Sequence, residues 1–489
     1  MLAAIDLGSN SFHLIVARVE HDEVRTIETL SEKVQLGAGV KNGLLDRSSI
    51  RRGIDCLTRF KQVLDSLSPY RIRIVGTNAL RQARNRRDFT YAAEALLGVP
   101  IDVIYGREEA RLVYLGVAHT LSDDEQSRLV VDIGGGSTEF IIGQRFEPQK
   151  LESLQMGCVS FTRQFFKKGK ITAKRYRRAY DAARLEVSHI RYRFASTRWE
   201  DCVGSSGTLQ AIEGLLTASG WSEGGITRSG LQRLEEALLE FDHIDKIDLE
   251  NLSENRRNVI LSGVAITTAI FDELGVKEMR PSPGALREGV IYDLLGRLSH
   301  EDVRERTINA LVQRYTADAQ IADTVEARAR ALFDATREPW NLEDSDWNLL
   351  RWAARTHEIG MTISHKHYNR HSAYLLRNAD LPGFSQFEQE TLGHLVGWHR
   401  RKVPREQFEN LAEADRGHLL RLMVILRLAC LFKYVEQLES LPDFRVSARA
   451  RRLRLRFPDG WIEQHPLTVY DLREERVQLR KLGMRLDFR

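Results

Sequence analysis

Cysteine is scarce in this chain: 489 residues carry only four, Cys56, Cys158, Cys202 and Cys430, widely spaced and without a Cys-x-x-Cys pair. That excludes a disulfide framework and a zinc ribbon, and it fits reduced thiols in a cytosolic setting. Long apolar runs are missing too. None approaches the roughly 20 residues that a membrane span needs. Met1-Leu2-Ala3-Ala4-Ile5-Asp6 enters a strand at once, leaving no room for a signal peptide. No Gly-Lys-Ser/Thr occurs, which disfavours a P-loop. Excess charge is also lacking. The formal net charge is +4, although arginine is locally dense, so a polyanionic ligand is permitted and not required. What remains is ordinary: 42% hydrophobic and 29% charged residues, as in soluble globular proteins. The length sets a prior of roughly three domains.

Against this background one stretch stands out, LVVDIGGGSTEFIIG at Leu129–Gly143. Its flanks are short apolar, β-branched runs bounded by glycine, which predicts strand, glycine turn, strand. Three successive glycines let backbone N–H groups turn toward a concave centre without Cβ obstruction, and such a centre suits a phosphate. Asp132 and Glu139 add carboxylates beside it, which suits a divalent metal rather than a bare anion. An ordinary hairpin with a flexible tip is the plain alternative. The acidic residues on both sides and Ser137-Thr138 weigh against it. A dinucleotide fold is disfavoured, because its glycines open a helix whereas this turn returns as a strand.

Ala3–Glu20, AAIDLGSNSFHLIVARVE, has the same plan. A strand ends in Asp6, Gly8-Ser9-Asn10-Ser11 turn the chain, and Leu14-Ile15-Val16 run back. This weak internal repeat has a mechanism: two facing hairpins grip a phosphate chain from both sides. Further along, Gly43–Leu67 reads as a linker and an amphipathic helix with Ile54, Leu57, Phe60, Val63 and Leu64 on one face. Ile72–Val75 is a short strand, and Gly76-Thr77-Asn78 leads into a helix bearing Arg81 and Arg84. Thr77 or Asn78 caps that helix, whose N-terminus offers a phosphate site. Arg84, Arg86 and Arg87 read as solvated surface. Ile101–Tyr105 is another strand, and a helix starts near Arg107. For Glu108 and Glu109 two readings stand level: complements of the helix dipole, or one of them a general base for water. Met156-Gly157-Cys158-Val159 turns into a helix, Gly169–Arg198 is a basic helical stretch, and Cys202–Gly207 runs from a strand into a third phosphate cradle. Asn258–Leu274 is a core helix. Arg287 and Glu288 read as a structural pair.

From about His300 glycine thins out and strand signals vanish. Helices are expected over Asp302–Arg314 and Ala317–Phe333, and the region reads as all-α. It contains His357-Glu358, then His365, His367, His371, His394 and His399. These are read as satisfied helical histidines or a degenerate site, because a His-Asp phosphohydrolase needs an adjacent His and Asp. In the tail Phe444–Phe457, FRVSARARRLRLRF, strand spacing puts Arg452, Arg454 and Arg456 on one face. Either a guarded sheet edge or a basic rail for a long polyanion explains them.

Taken together, these stretches resemble the exopolyphosphatase/guanosine pentaphosphate phosphohydrolase family. AAIDLGSNSFHLIVARV, GTNALRQA, GREEARLVYLGVAHT, VVDIGGGSTEF, MGCVSF and GALREG look like its signatures in its order, and RWAARTHEIG and RHSAYLLRNADLPGF extend the likeness over nearly the whole chain. The resemblance implies an α/β fold with two actin-like, ribonuclease-H-type domains (1–122 and 123–298), an all-α HD-like domain (299–440) and a small C-terminal domain (441–489). It maps the catalytic base to Glu109 and the metal-associated carboxylates, for Mg²⁺ or another divalent cation, to Asp132 and Glu139. Phosphate contacts map to Asp6, Ser9, Asn10, Thr77, Arg81, Gly134, Gly135, Gly136, Ser137, Cys158 and Ser206. It also implies a cytoplasmic homodimer, with peripheral association at the inner face of the membrane allowed and no nucleic-acid partner. The His-Glu pair occurs in long members of the family, in keeping with a non-catalytic role.

The expected reaction is hydrolysis of a terminal phosphoanhydride by water that Glu109 orients and deprotonates. The first expectation is an exopolyphosphatase that releases orthophosphate from inorganic polyphosphate, since GGGSTE in place of a GGAST-type loop and the basic rails lean that way. The alternative is removal of the 5′-γ-phosphate of guanosine pentaphosphate (pppGpp). A regulator that binds nucleotide or polyphosphate without turnover is a third reading, and the intact Glu109, Asp132 and Glu139 argue against it. An actin-like kinase is disfavoured by the same glutamate and by the helical appendage.

Overall fold

The computed structural model describes residues 1–489 apart from 21–22, 122–125, 299–301 and 435–444. The boundaries expected at 122/123, 298/299 and 440/441, the change of character at His300 and the tail residue Phe444 fall on those stretches and lie outside the described residues. The described chain forms two units, Met1–Asp302 and Val303–Arg489.

The first unit is built on two sheets of matching design. In the first, the order is Glu23–Lys33, Ser11–Glu20, Leu2–Leu7, Arg71–Gly76, Ile101–Val103, with the first two pairings antiparallel and the last two parallel. In the second, Glu147–Leu154, Thr138–Gln144, Ser127–Ile133, Asp201–Ser205 and Glu278–Pro281 follow the same order and directions, and Ile226–Thr227 adds an antiparallel edge. The weak repeat in the sequence is therefore a repeat of the fold, and the two halves are actin-like. Each central strand is buried on both faces, which is why it reads as an unbroken apolar run. Ala3, Ile5 and Leu7 pack with Phe12, Leu57 and Phe60, whereas Leu2 and Ala4 pack on the opposite side with Ile15, Ala17 and Val75. The expected amphipathic helix is present as Arg47–Leu67, with Leu57, Phe60 and Leu64 buried.

Two helices, Gly106–Ala118 and Leu286–Leu298, share one core with residues of both sheets, among them Leu2, Val75, Val130 and Val203. They cross backbone to backbone. A Cβ on Gly289 would strike the carbonyl oxygen of Leu112, and one on Gly116 would strike that of Ala285. An ion network ties the same helices together. Asp293 accepts from Arg73 Nη1 at 2.5 Å and Arg297 Nε at 2.8 Å, and also from Arg111, whose Nε donates to Glu108 at 2.8 Å. Burial opposes the charge on Asp293, but Arg111, Arg297 and Arg73 outweigh it and hold its carboxyl well below the usual range. Gly289→Ala should lower stability by at least about 2 kcal/mol, because backbone cannot yield to the added methyl as a side chain could. Chemical denaturation of the variant checks this.

The second unit is helical. Val303–Arg314, Ala319–Trp340, Asp344–Thr356, Tyr368–Asn378, Gln386–Trp398 and Glu413–Leu431 surround a core that includes Phe333, Trp340, Trp352, Leu395 and Leu422–Leu426. The helix expected over Ala317–Phe333 runs on to Trp340, carrying Pro339 in its last turn. Arg445–Arg449, Arg452–Arg456 and Arg485–Phe488 form a three-stranded sheet whose Leu453, Leu455 and Leu486 join the same core. Strand 452–456 is the central one, paired on both sides, so the guarded-edge reading does not describe it. Its arginines do share the outer face, where Asp487 accepts from Arg452 at 2.6 Å and Arg485 at 3.0 Å.

Candidate active site

The two hairpin tips face each other across a cavity of about 360 Å³ in the first unit. Gly135 approaches so closely that a Cβ there would lie 3.1 Å from Ser9 Cβ and 3.3 Å from the Asn10 nitrogen, while one on Gly136 would run into Asn78. The glycines are thus required by close approach. The turn is closed by Gly134 N donating to Ser137 O at 2.9 Å. A third wall is the start of helix Gly207–Ala218. Its N-cap Ser206 sits at φ 95°, and the Ser206 hydroxyl accepts from the Thr208 nitrogen at 3.3 Å and the Leu209 nitrogen at 3.5 Å. A non-glycine residue at such a φ is strained, and the cap helps hold it there.

Of the residues expected to act, Glu109, Asp6, Ser9, Asn10, Thr77, Gly134, Gly135, Gly136, Ser137, Cys158, Ser206 and Asp132 all line this cavity. Arg81 and Glu139 do not. Arg81 stands behind Glu109, its Nη1 donating to Glu109 Oε2 at 2.6 Å and to the Ile104 carbonyl at 3.0 Å. Glu139 lies directly across the strand pair from Asp132 and accepts from Ser153 Oγ at 2.8 Å. Thr77 does not cap its helix, which is only five residues long; its hydroxyl donates to the Leu7 carbonyl at 3.5 Å. Cys158 receives a hydrogen bond from Thr208 Oγ1 at 3.7 Å, and burial pushes its thiol up, away from thiolate chemistry. The ambiguity over the glutamate pair resolves by direction. Glu108 turns to Arg111 in the buried ion network, and Glu109 turns to the cleft.

His13, Gln210, Arg256 and Arg287 also line the cavity and were not singled out as site residues from the sequence. They come from four separate segments, and only their convergence in space marks them. Arg256 makes no hydrogen bond or ion pair with a side chain among the described residues, and it stands beside Gly207, where any Cβ would meet its guanidinium. Arg287, read as half of a structural pair, does lie 2.8 Å from Glu288 Oε1, yet it also faces the cleft. Burial, Arg287 and Arg256 together push His13 down to about 3, so its ring is neutral there.

The electrostatics are dominated by crowded acids. Burial and then Glu109 push Asp132 up to about 7. Burial, Glu109 and Asp132 raise Asp6 well above the usual range, with Arg287 opposing, and burial, Glu109 and Asp132 raise Glu139, with Arg81 opposing. Asp6 Oδ1, Asn10 Oδ1 and Glu139 Oε2 are buried without hydrogen-bond partners among the described residues.

Residues 14–298 match the Ppx/GppA phosphatase family, and residues 303–476 match domain III of the same family. The chain belongs to the Ppx/GppA phosphatase family. It is accordingly a hydrolase of phosphoanhydride bonds. It is 38% identical to the guanosine-5′-triphosphate,3′-diphosphate pyrophosphatase of Photobacterium profundum, over 99% of this chain and 97% of that one. It is 39% identical to the enzyme of the same name from Vibrio cholerae, with the same coverage. Among solved structures, the Aquifex aeolicus Ppx/GppA family member matches at 26% identity and TM-score 0.52, covering 60% of this chain and 97% of that one. An exopolyphosphatase from Cytophaga hutchinsonii, at 22% identity and TM-score 0.56 over 60% of this chain and 97% of that one, shares the fold.

A divalent cation fits what this Ppx/GppA cleft presents. Raised carboxylates and orphaned carboxylate oxygens are groups that lack a positive partner. Among the described residues no set of three or more His, Cys, Asp and Glu side chains could hold a metal by itself.

The raised Asp132 makes a signed prediction. Its folded-state pKa of about 7 lies above the unfolded value, so the folded form holds the proton more tightly. Stability from this group is therefore lost as pH rises from about 4 through about 7. Asp132→Asn should raise the melting temperature by several degrees at about pH 8, and by less at about pH 5, in melts run with chelator.

Proposed function

We propose that this chain removes the 5′-terminal phosphate of guanosine pentaphosphate, giving guanosine tetraphosphate and orthophosphate. The observation that carries this reading is the 38–39% identity to guanosine-5′-triphosphate,3′-diphosphate pyrophosphatases across 99% of the chain. The lean toward polyphosphate drawn from GGGSTE and the basic rails yields to that evidence, and the likeness to the Cytophaga exopolyphosphatase speaks for fold alone. The reading brings with it Mg²⁺ or another divalent cation, a cytoplasmic setting and a homodimer.

In this reading the backbone N–H groups of the two facing tips and of the Ser206–Thr208 turn hold the phosphate chain. The Arg256 guanidinium, uncommitted to any side-chain partner among the described residues, neutralises charge at the same wall. Glu109 orients the attacking water and accepts its proton as the water oxygen bonds to the terminal phosphorus. The bond from that phosphorus to the bridging oxygen breaks, and the diphosphate end leaves. Asp132, with Glu139 behind it and Asp6 opposite, would hold the cation, which supplies charge neutralisation at the phosphate oxygens when bound. Cys158, as a buried thiol, contributes packing rather than a nucleophile. Arg81 holds Glu109 in place and keeps a positive charge behind it.

Two measurements test this. In side-by-side kinetics with Mg²⁺, kcat/KM for pppGpp should exceed that for long polyphosphate by at least about tenfold, a difference of some 1.4 kcal/mol in transition-state stabilisation. The reverse order would return the chain to the exopolyphosphatase reading. Glu109→Gln should lower kcat by about 10²–10⁴. Arg81→Met should also act mainly on kcat with KM nearly unchanged, whereas a phosphate-gripping arginine would raise KM.

A further inference from the structure

The second unit holds a polar cluster that phosphoanhydride hydrolysis in the first does not use. His357 follows helix Asp344–Thr356 and His399 follows helix Gln386–Trp398, each as the C-cap, and they are 1% and 2% exposed. Both rings are pinned alike. His357 Nδ1 lies 2.6 Å from the Ala354 carbonyl and His399 Nδ1 lies 2.6 Å from the Val396 carbonyl. A carbonyl oxygen only accepts, so Nδ1 carries the proton and each Nε2 presents a lone pair. Neither Nε2 has a hydrogen-bond partner among the described residues. The rings stand perpendicular with centroids 5.3 Å apart. Glu358 Oε1 lies 3.6 Å from His357 Nε2 and is ion-paired with Lys433, and these two side chains are 6% and 8% exposed.

Two imidazoles fixed at Nδ1 with bare Nε2 atoms, beside one carboxylate, make the ligand chemistry of a divalent transition metal. Buried acceptors without donors are costly and call for a cation or a donor. Yet no described group of His, Cys, Asp and Glu could hold a metal as it stands. What the cluster does contain is an ammonium. Lys433 is ion-paired with the same Glu358 Oε1 that lies 3.6 Å from His357 Nε2, so a positive charge already stands beside the ring. We infer that Lys433 is the resident cation of a His357–Glu358–His399 site, standing in for a divalent transition metal that the same ligands would otherwise bind. The ammonium places its positive charge in the cluster through the ion pair with Glu358, without donating to either Nε2 among the described residues, and unlike a metal it cannot be chelated away. The site is thereby closed to metal-dependent chemistry while its ligands remain in position.

The test uses the full-length chain and Co²⁺ and Zn²⁺ as probes. Lys433→Ala and Lys433→Gln are each compared with the same variant carrying His399→Ala, so that ions taken elsewhere cancel. Lys433→Gln retains a donor for Glu358 without the charge. The expected result is one His399-dependent Co²⁺ per chain, seen in visible absorption and bound at least ten times more tightly than by the wild type. Zn²⁺ should raise the melting temperature of the variants and not that of the wild type. If the variants fold only when Zn²⁺ is supplied, the inference also stands. It is overturned if folded Lys433→Gln takes up Co²⁺ no more tightly than the wild type, if the wild type itself binds a His399-dependent ion, or if Zn²⁺ does not restore a variant that fails to fold.

Discussion

Asp6, Glu109, Asp132 and Glu139 repel one another in and behind the wall of one cleft, and the first unit is arranged around holding them there. Left alone, such a group of acids relaxes by taking up protons or by moving apart. The pushed-up carboxyls show the first response. The second is blocked by covalent and steric facts. Asp6 and Asp132 end central strands buried on both faces, Asp132 and Glu139 are register partners in one ladder, and Glu109 rides on a helix pinned by glycine contacts and by the Asp293 network. Strain of this kind suits the proposed binding of a cation and a phosphate chain, because such a ligand would relieve the repulsion.

The distribution of arginines follows from the same constraint. Arg81 and Arg287 temper the field of the acids without entering the ladder that carries them. Arg256 pairs with no acid among the described residues, which leaves it available for the proposed anion. A reader of the sequence sees arginines in proportion to local density and is drawn to the runs at 84–87, 174–178 and 452–456. The arginines that reach the cleft, Arg256 and Arg287, lie outside those runs, since a run sits on a solvated face whereas a buried guanidinium needs a private partner or a ligand.

That contrast explains how far the sequence could be read. The hairpin tips were legible because their function lies in backbone geometry, and glycine spacing reports backbone geometry directly. The recurrence of strand, acid and turn was legible for the same reason, and it proved to be a repeat of sheet order. The local residues left Glu108 and Glu109 level and the family resemblance alone pointed to Glu109, because neighbouring positions in a first helical turn look alike until the partners Arg111 and Asp293 are known. Arg81 was placed among phosphate ligands because an arginine after a strand and a turn has that appearance; the structure turns it toward Glu109 instead. His13, Gln210, Arg256 and Arg287 reach the cavity from segments distant in sequence, where no local period signals convergence. The choice between pppGpp and polyphosphate lies further still from motif spacing, since both substrates present the same terminal phosphoanhydride to the same turns.

The second unit meets a mirror-image problem with a different solution. There, buried acceptors rather than buried acids lack a hydrogen-bond counterpart among the described residues, and the cation we infer for them is part of the chain. A covalently supplied ammonium has no dissociation equilibrium, so such a cluster gains permanence and gives up exchange. The cleft in the first unit has the reverse need. In the proposed reaction its acids would be neutralised when substrate is present and released when product leaves, which a tethered lysine could not do without remaining as a product ligand. Arg81 can be tethered because it sits behind Glu109 and outside the cavity. Whether a buried negative or lone-pair cluster is matched from within or from solution is thus decided by whether its partner has to depart, and each unit's choice of residue follows from that.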